Sequence, residues 1–176
     1  MTAWLMDCSD RARIGLKGPR AAEWLEQLGC DVPALSNSWR AIREQRGSLI
    51  ARLGSTEFFL EEPRPGVFVR QVADALRSPV DGVYPVLRED RSLVLSGAGA
   101  NDVLAQACNV EFEQVSRSER QVVMTMMIGI AVLVIPDRDP ASSGAREANG
   151  GCYRIWCDPS YGDYLWSSLQ DVMRGA

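Results

Sequence analysis

Histidine is absent from all 176 residues. That removes the commonest general base and the commonest transition-metal ligand together, and with them every Ser–His or Cys–His nucleophile pair. A zinc site would have to rest on cysteine alone. The five cysteines, Cys8, Cys30, Cys108, Cys152 and Cys157, show no CxxC spacing. Cys152 and Cys157 stand in a run that reads as strand, five apart, so their side chains leave opposite faces and make no local metal clamp. An odd number of cysteines with no export signal fits reduced thiols, buried as small apolar groups. Long apolar runs are missing too. No stretch approaches the roughly 20 residues of a membrane-spanning helix. The longest, Val122 to Ile135, carries Thr125 and Gly129, ends at Pro136 and reads as strand. Met1 to Asp7 has neither a basic start nor a long apolar core, so it is not a signal peptide, and cytoplasmic residence is the expectation. Nor is there an excess of positive charge. The 19 Lys and Arg against 23 Asp and Glu leave a net charge of −4. With a pI near 5.0, that argues against a general nucleic-acid-binding surface.

What the chain does have is a repeat. Arg13 to Leu25 and Ser92 to Leu104 each read as a short strand, a glycine turn and an amphipathic helix. Gly18 and Gly97 lie 79 residues apart, and the same offset carries Ile14 and Leu16 onto Leu93 and Leu95, alternate residues of one strand face. It also carries Ala21, Trp24, Leu25 and Leu28 onto Ala100, Val103, Leu104 and Ala107, the i, i+3, i+4, i+7 stripe of one buried helix face. Two periods agreeing at one offset indicate an internal duplication. Hydrophobic content of 46% and charged content of 24% are ordinary for a globular protein able to bury a core.

In chain order, Met1 to Asp10 reads as a leading segment with a turn at Cys8-Ser9-Asp10. Strand Ala12 to Leu16 follows, then a helix from Pro19 to Leu28 that stops at Gly29. Trp39 to Glu44 and Ser48 to Leu53 read as strands flanking the turn Arg46-Gly47, and Glu57 to Glu61 as another. A helix spans Val67 to Leu76. The second half repeats the order. It has strands Tyr84 to Leu87 and Ser92 to Leu95, a helix Gly99 to Cys108, and strands Val122 to Met127 and Gly129 to Ile135. At the 79-residue offset, Ile50 and Leu53 map to Gly129 and Val132. Pro136 to Gly151 is rich in Asp, Ser, Gly and Ala and reads as an exposed, mobile loop. Cys152 to Cys157 is the last strand. The final helix opens on Ser160-Tyr161-Gly162-Asp163, a capping box with Asp in the Glu position, and buries Tyr161, Leu165 and Leu169. These match Phe68, Val72 and Leu76 at an offset of 93, so a single insertion, the mobile loop, accounts for the change of register.

The expected fold is therefore α+β: duplicated strand-helix-strands-helix modules with largely antiparallel sheets covered by helices. The modules are 1–80 and 81–176. Each is small for a stable core, so the two are expected to pack as one compact unit with pseudo-twofold symmetry.

Few residues suggest chemistry. Gly97-Ala98-Gly99-Ala100-Asn101-Asp102 lies between strand and helix, where a dinucleotide-binding loop would sit. Its third glycine is replaced by Asp102, and the first copy has Gly18-Pro19-Arg20, whose proline lacks an N–H. A turn demanded by both modules is architectural. Asp7, Asp10, Glu89 and Asp90 precede the two repeated strands and could serve as acid or base, but solvated turn residues are the commoner case. The five tryptophans, Trp4, Trp24, Trp39, Trp156 and Trp166, suit a core or an interface equally well.

Four segments in order carry a resemblance. They are Ile14-Gly-Leu-Lys-Gly-Pro-Arg-Ala-Ala-Glu-Trp-Leu25, Ile50-Ala-Arg-Leu-Gly-Ser-Thr-Glu-Phe-Phe-Leu60, Leu93-Val-Leu-Ser-Gly-Ala-Gly-Ala-Asn-Asp-Val-Leu104 and Asp158-Pro-Ser-Tyr-Gly-Asp-Tyr-Leu-Trp166. Together they resemble the gamma subunit of heterotetrameric sarcosine oxidase. Met124 to Met127 and the loop 136–151 depart from that pattern. The family is similar in fold to the folate-binding domain of glycine-cleavage aminomethyltransferases. The resemblance implies a noncatalytic assembly subunit of a flavoenzyme that oxidatively demethylates sarcosine or a related N-methyl amino acid. It implies partners of the alpha, beta and delta type, with FAD, FMN, NAD and tetrahydrofolate on those partners and no cofactor on this chain. No catalytic, cofactor-binding or metal residue carries over. The alternative is a free-standing tetrahydrofolate-binding or aminomethyltransferase-like protein.

Overall fold

The computed structural model describes residues 2–42, 46–115, 120–137 and 151–175. Two five-stranded antiparallel sheets and four α-helices make up these residues. Strand β1 (Ala3–Asp7) comes first, then β2 (Ala12–Lys17), α1 (Ala21–Gln27), β3 (Ser38–Arg40), β4 (Leu49–Arg52), β5 (Glu57–Glu62), α2 (Val67–Ala75) and β6 (Tyr84–Val86). The second half contributes β7 (Arg91–Gly97), α3 (Ala100–Ala107), β8 (Val123–Met127), β9 (Ile130–Asp137), β10 (Gly151–Cys157) and α4 (Gly162–Gly175). The sheet orders are β3-β4-β5-β2-β6 and β8-β9-β10-β7-β1, which correspond position for position. The duplication is therefore real at the level of topology.

The edge strands are exchanged between the halves. Strand β1 begins the first half but pairs with β7, from Ala3 opposite Gly97 to Asp7 opposite Leu93. Strand β6 begins the second half but pairs with β2. The compact units are accordingly Asp10–Arg88, and Met1–Ser9 with Glu89–Ala176, rather than a division after residue 80. The leading segment, to which the sequence assigned only a turn at Cys8-Ser9-Asp10, contains a strand because the edge of β7 supplies its backbone hydrogen bonds.

Each unit has its own core. In one, Leu16, Phe58, Leu60 and Ile50 from the sheet meet Ala21 and Leu25 of α1 and Phe68 and Val72 of α2. In the other, Leu93, Leu95, Ile155 and Val134 meet Ala100, Val103 and Leu104 of α3 and Leu165 and Leu169 of α4. The register is legible row by row. Ile14 faces Leu60, which faces Ile50. Leu93 faces Ile155, which faces Val134.

That row corrects the expected hairpin mapping. Ile50 corresponds to Val134, 84 residues on, and not to Gly129. Gly129 lies in the turn between β8 and β9 with φ of 78°. Leu60 corresponds to Ile155, 95 residues on. Two insertions shift the frame, one before β9 and one between β9 and β10, where a single one was expected. Sequence offset cannot see this, because a short apolar strand matches at several registers.

The last helix holds Leu165 and Leu169 buried as expected, but Tyr161 is 54% exposed. Pro159–Tyr161 form a 3-10 turn, and its three-residue period throws Tyr161 off the α-helical ridge. Asp158, not Ser160, is the cap: its Oδ1 accepts from the Ser160 backbone N–H at 2.9 Å. The bond from the Ser160 hydroxyl, and after it this backbone bond, hold the Asp158 carboxyl below its usual range. Pro136 and Asp137 belong to β9 and Gly151 to β10, all three buried. The rest of the expected loop, 138–150, lies outside the described residues, as do 43–44 of the expected strand Trp39 to Glu44.

Leu25 and Leu104 are equivalent and are 0% and 1% exposed. Leu→Ala at either should cost about 2–5 kcal/mol through lost transfer energy and the residual cavity. A total stability of about 5–15 kcal/mol makes that visible in urea denaturation. An unchanged midpoint for either variant would contradict the duplicated core.

Candidate functional site

The two glycine turns are the most distinctive local geometry, and they clamp strands. Gly18 has φ of 135° and Gly97 φ of 113°, a region where side chains other than hydrogen are strained. Space is refused as well. A Cβ on Gly18 would stand 2.2 Å from the Gly82 carbonyl oxygen, and one on Gly97 2.5 Å from that of Thr2. Those carbonyls lead into β6 and β1. At the head of α1 the Arg20 N–H donates to Gly82 O at 3.0 Å, and at the head of α3 the Gly99 N–H donates to Thr2 O at 3.2 Å. One backbone donor at each helix head is thus spent on an arriving strand. Asp102 sits exposed in the first turn of α3.

The four candidate carboxylates do not form an acid–base pair. Asp7 meets Arg91 at 3.1 Å and accepts from the Ser9 N–H at 2.9 Å. Asp10 is exposed, and its backbone carbonyl accepts from Arg64 Nε. Glu89 is exposed. Asp90 acts on a thiol: Cys157, 3% exposed, has its pKa raised to about 11, chiefly by burial and then by the Asp158 and Asp90 charges. All five cysteines lie outside any disulfide and are buried, as expected for structural thiols. Cys152 and Cys157 do face opposite sides of β10, one packing with Cys8 and Val94, the other in the helix-side core.

The structure shows buried charges that sequence reading missed. Glu61 is fully buried. Arg13, directly opposite it across the β2–β5 ladder, approaches at 3.2 Å, and Arg11 at 3.7 Å. Glu62 is fully buried too, and its Oε2 accepts the Val69 N–H at 2.7 Å, so it caps α2 from a neighbouring strand. Arg154 is buried with its guanidinium 5.2 Å from the Trp156 ring centre. Arg52 donates to the carbonyls of Pro33, Ala34, Gly54 and Ser55, which ties two loops to β4. A signal existed for the first of these. Once Ile14 and Leu60 are taken as facing partners, Arg13 must face Glu61.

Among the described residues, no group of three or more His, Cys, Asp or Glu could hold a metal ion. A depression beside α1, lined by Arg20, Trp24 and Val83, has a volume of about 20 Å³, room for about one water. The tryptophans divide. Trp156 is buried, Trp24 and Trp166 pack against the two cores, and Trp4 is exposed. Trp4 on β1 faces Ser96, and Tyr84 on β6 faces Lys17. Ser96 and Lys17 are equivalent in the repeat, so each exchanged strand presents an exposed aromatic at the same place.

No family model and no curated protein matches this chain. Solved structures do. A chain of heterotetrameric sarcosine oxidase from Corynebacterium sp. U-96, in complex with pyrrole 2-carboxylate, is similar with a TM-score of 0.73 and 18% identity, over 98% of this chain and 84% of that one. The glycine cleavage system aminomethyltransferase T from Bartonella henselae is similar with a TM-score of 0.65 and 18% identity, over 95% of this chain and 45% of that one. This chain thus spans less than half of the aminomethyltransferase. At such identities the likeness shows a shared α+β fold, the one the sequence motifs resemble.

Two outcomes test this account of the polar interior. Glu61→Ala leaves Arg11 and Arg13 without their buried carboxylate and should cost about 3–5 kcal/mol. A midpoint shift worth less than about 0.5 kcal/mol, the size of a surface change, would mean the pairing is incidental. The second concerns Cys157. Its folded pKa lies above the unfolded value of 9.0, so its contribution to stability is complete below pH 9 and is lost as pH rises towards 11. Cys157→Ala should flatten the fall in urea midpoint over that range, and an unaltered slope would refute the assignment.

Proposed function

We propose that this chain is a noncatalytic assembly subunit of a multi-subunit, sarcosine-oxidase-like flavoenzyme, in the position of the gamma subunit. The observation that carries the reading is mutual coverage: 98% of this chain aligns with 84% of one chain from a heterotetramer. A shared fold alone does not give a shared role. The interior argues in the same direction. The helix heads at the glycine turns are occupied by backbone carbonyls, and the thiols are buried. Partners of the alpha, beta and delta type would carry FAD, FMN, NAD and tetrahydrofolate, the substrate being sarcosine or another N-methyl amino acid, and the assembly would be cytoplasmic.

A second reading is supported by the aminomethyltransferase likeness: a free-standing tetrahydrofolate-binding protein. Here only 45% of the other chain is matched. Affinity purification of the tagged chain from its native cell should bring down flavin-bearing partners at fixed stoichiometry, measured by native mass spectrometry and flavin absorbance. A chain that elutes alone, and that binds tetrahydrofolate in a calorimetric titration, would replace the first reading with the second.

A further inference from the structure

Among the described residues, strand β8, Val123-Met124-Thr125-Met126-Met127, forms the edge of its sheet. Its alternate residues divide by face. Val123 and Met127 point into the helix-covered core. Met124 and Met126 point the other way, opposite Leu133 and Ala131 of β9, and each is 55% exposed. Two residues along a strand span about 7 Å, so the thioethers share one patch. The chain's other described methionines are sheltered: Met127 is buried, and Met6 and Met173 are half-buried. Edge strands usually carry a charge or proline that keeps them from pairing with other chains. Strand β8 has neither, whereas β3 has Arg40, β6 has Pro85 and β1 has Asp7.

We propose that Met124 and Met126 form a reversible oxidation site that sets the polarity of this edge. The oxidant is hydrogen peroxide. The sulfur lone pair takes one peroxide oxygen as the O–O bond breaks, and the other oxygen leaves as water. Sulfur is oxidised by two electrons and peroxide reduced by two. Each sulfoxide replaces an apolar thioether by a strong dipole, and a methionine sulfoxide reductase with a thiol reductant restores it. The fold survives because both side chains point away from the core that Met127 helps to fill.

The full chain treated with dilute hydrogen peroxide and followed by peptide mass mapping should gain oxygen at Met124 and Met126 about tenfold faster than at Met127. Retention on a hydrophobic-interaction column should fall in step, with the circular dichroism unchanged, and should recover after incubation with methionine sulfoxide reductases. Met124→Leu with Met126→Leu keeps side-chain volume and should make retention insensitive to peroxide. Oxidation of Met127 at a similar rate, a retention shift that persists in the double variant, or failure of the reductases to reverse it would overturn the proposal. The wild-type mapping decides the first point even if the double variant folds poorly.

Discussion

The structure depends on a backbone contact made twice. In each unit a glycine at positive φ brings the strand-to-helix turn against the carbonyl that leads in the edge strand, and the head of the helix donates an N–H to that same carbonyl. A side chain of any size at Gly18 or Gly97 would push on main chain, which cannot rotate aside. The contact satisfies a donor that a helix start otherwise leaves open. It also sets where the edge strand begins, and hence the register of every residue after it. Trp4 and Tyr84 come out at equivalent sites for this reason, although nothing in their own flanking residues resembles the other.

The exchange of β1 and β6 means that neither half of the sequence completes its own sheet. Strand β6 is three residues long and contains Pro85, a poor strand in isolation. It is ordered because β2 offers an unpaired edge and the clamp at Gly82 delivers it there. Packing then follows the repeat closely. Facing rows such as Ile14, Leu60 and Ile50 have exact counterparts in Leu93, Ile155 and Val134, with helices α1 and α3 laid over them. Polar residues are concentrated where the apolar rows end. Glu61 and Glu62 close β5, the one held by arginines on the neighbouring strand and its approach, the other turned to the head of α2.

In the described interior Glu61 is held by arginines and Glu62 caps α2, the thiols are buried, and the glycine turn that looks like a nucleotide loop holds the chain's own backbone. The edge strands carry exposed aromatic and thioether groups, Trp4, Tyr84, Met124 and Met126, at the places where a sheet meets its surroundings.

Residue periodicity alone determined a good deal: the α+β class, the duplication, the bounds of the first three helices and the start of the fourth to within about two residues, and the buried faces of α1 and α3. These are local or nearly local properties, and two copies of one pattern reinforce each other. Tertiary structure decided the rest. That β1 is a strand at all depends on the edge of β7, about 90 residues away in sequence. The registers of β4 against β9 and of β5 against β10 depend on which apolar rows meet, and a uniform offset placed Ile50 on Gly129 where pairing places it on Val134. Tyr161 left the buried ridge because a 3-10 turn, capped by Asp158, changed the period by a fraction of a residue. The Arg13–Glu61 pair appeared only once two strands were in register. In each case the missing information was a contact between distant residues, which a period along the chain does not contain.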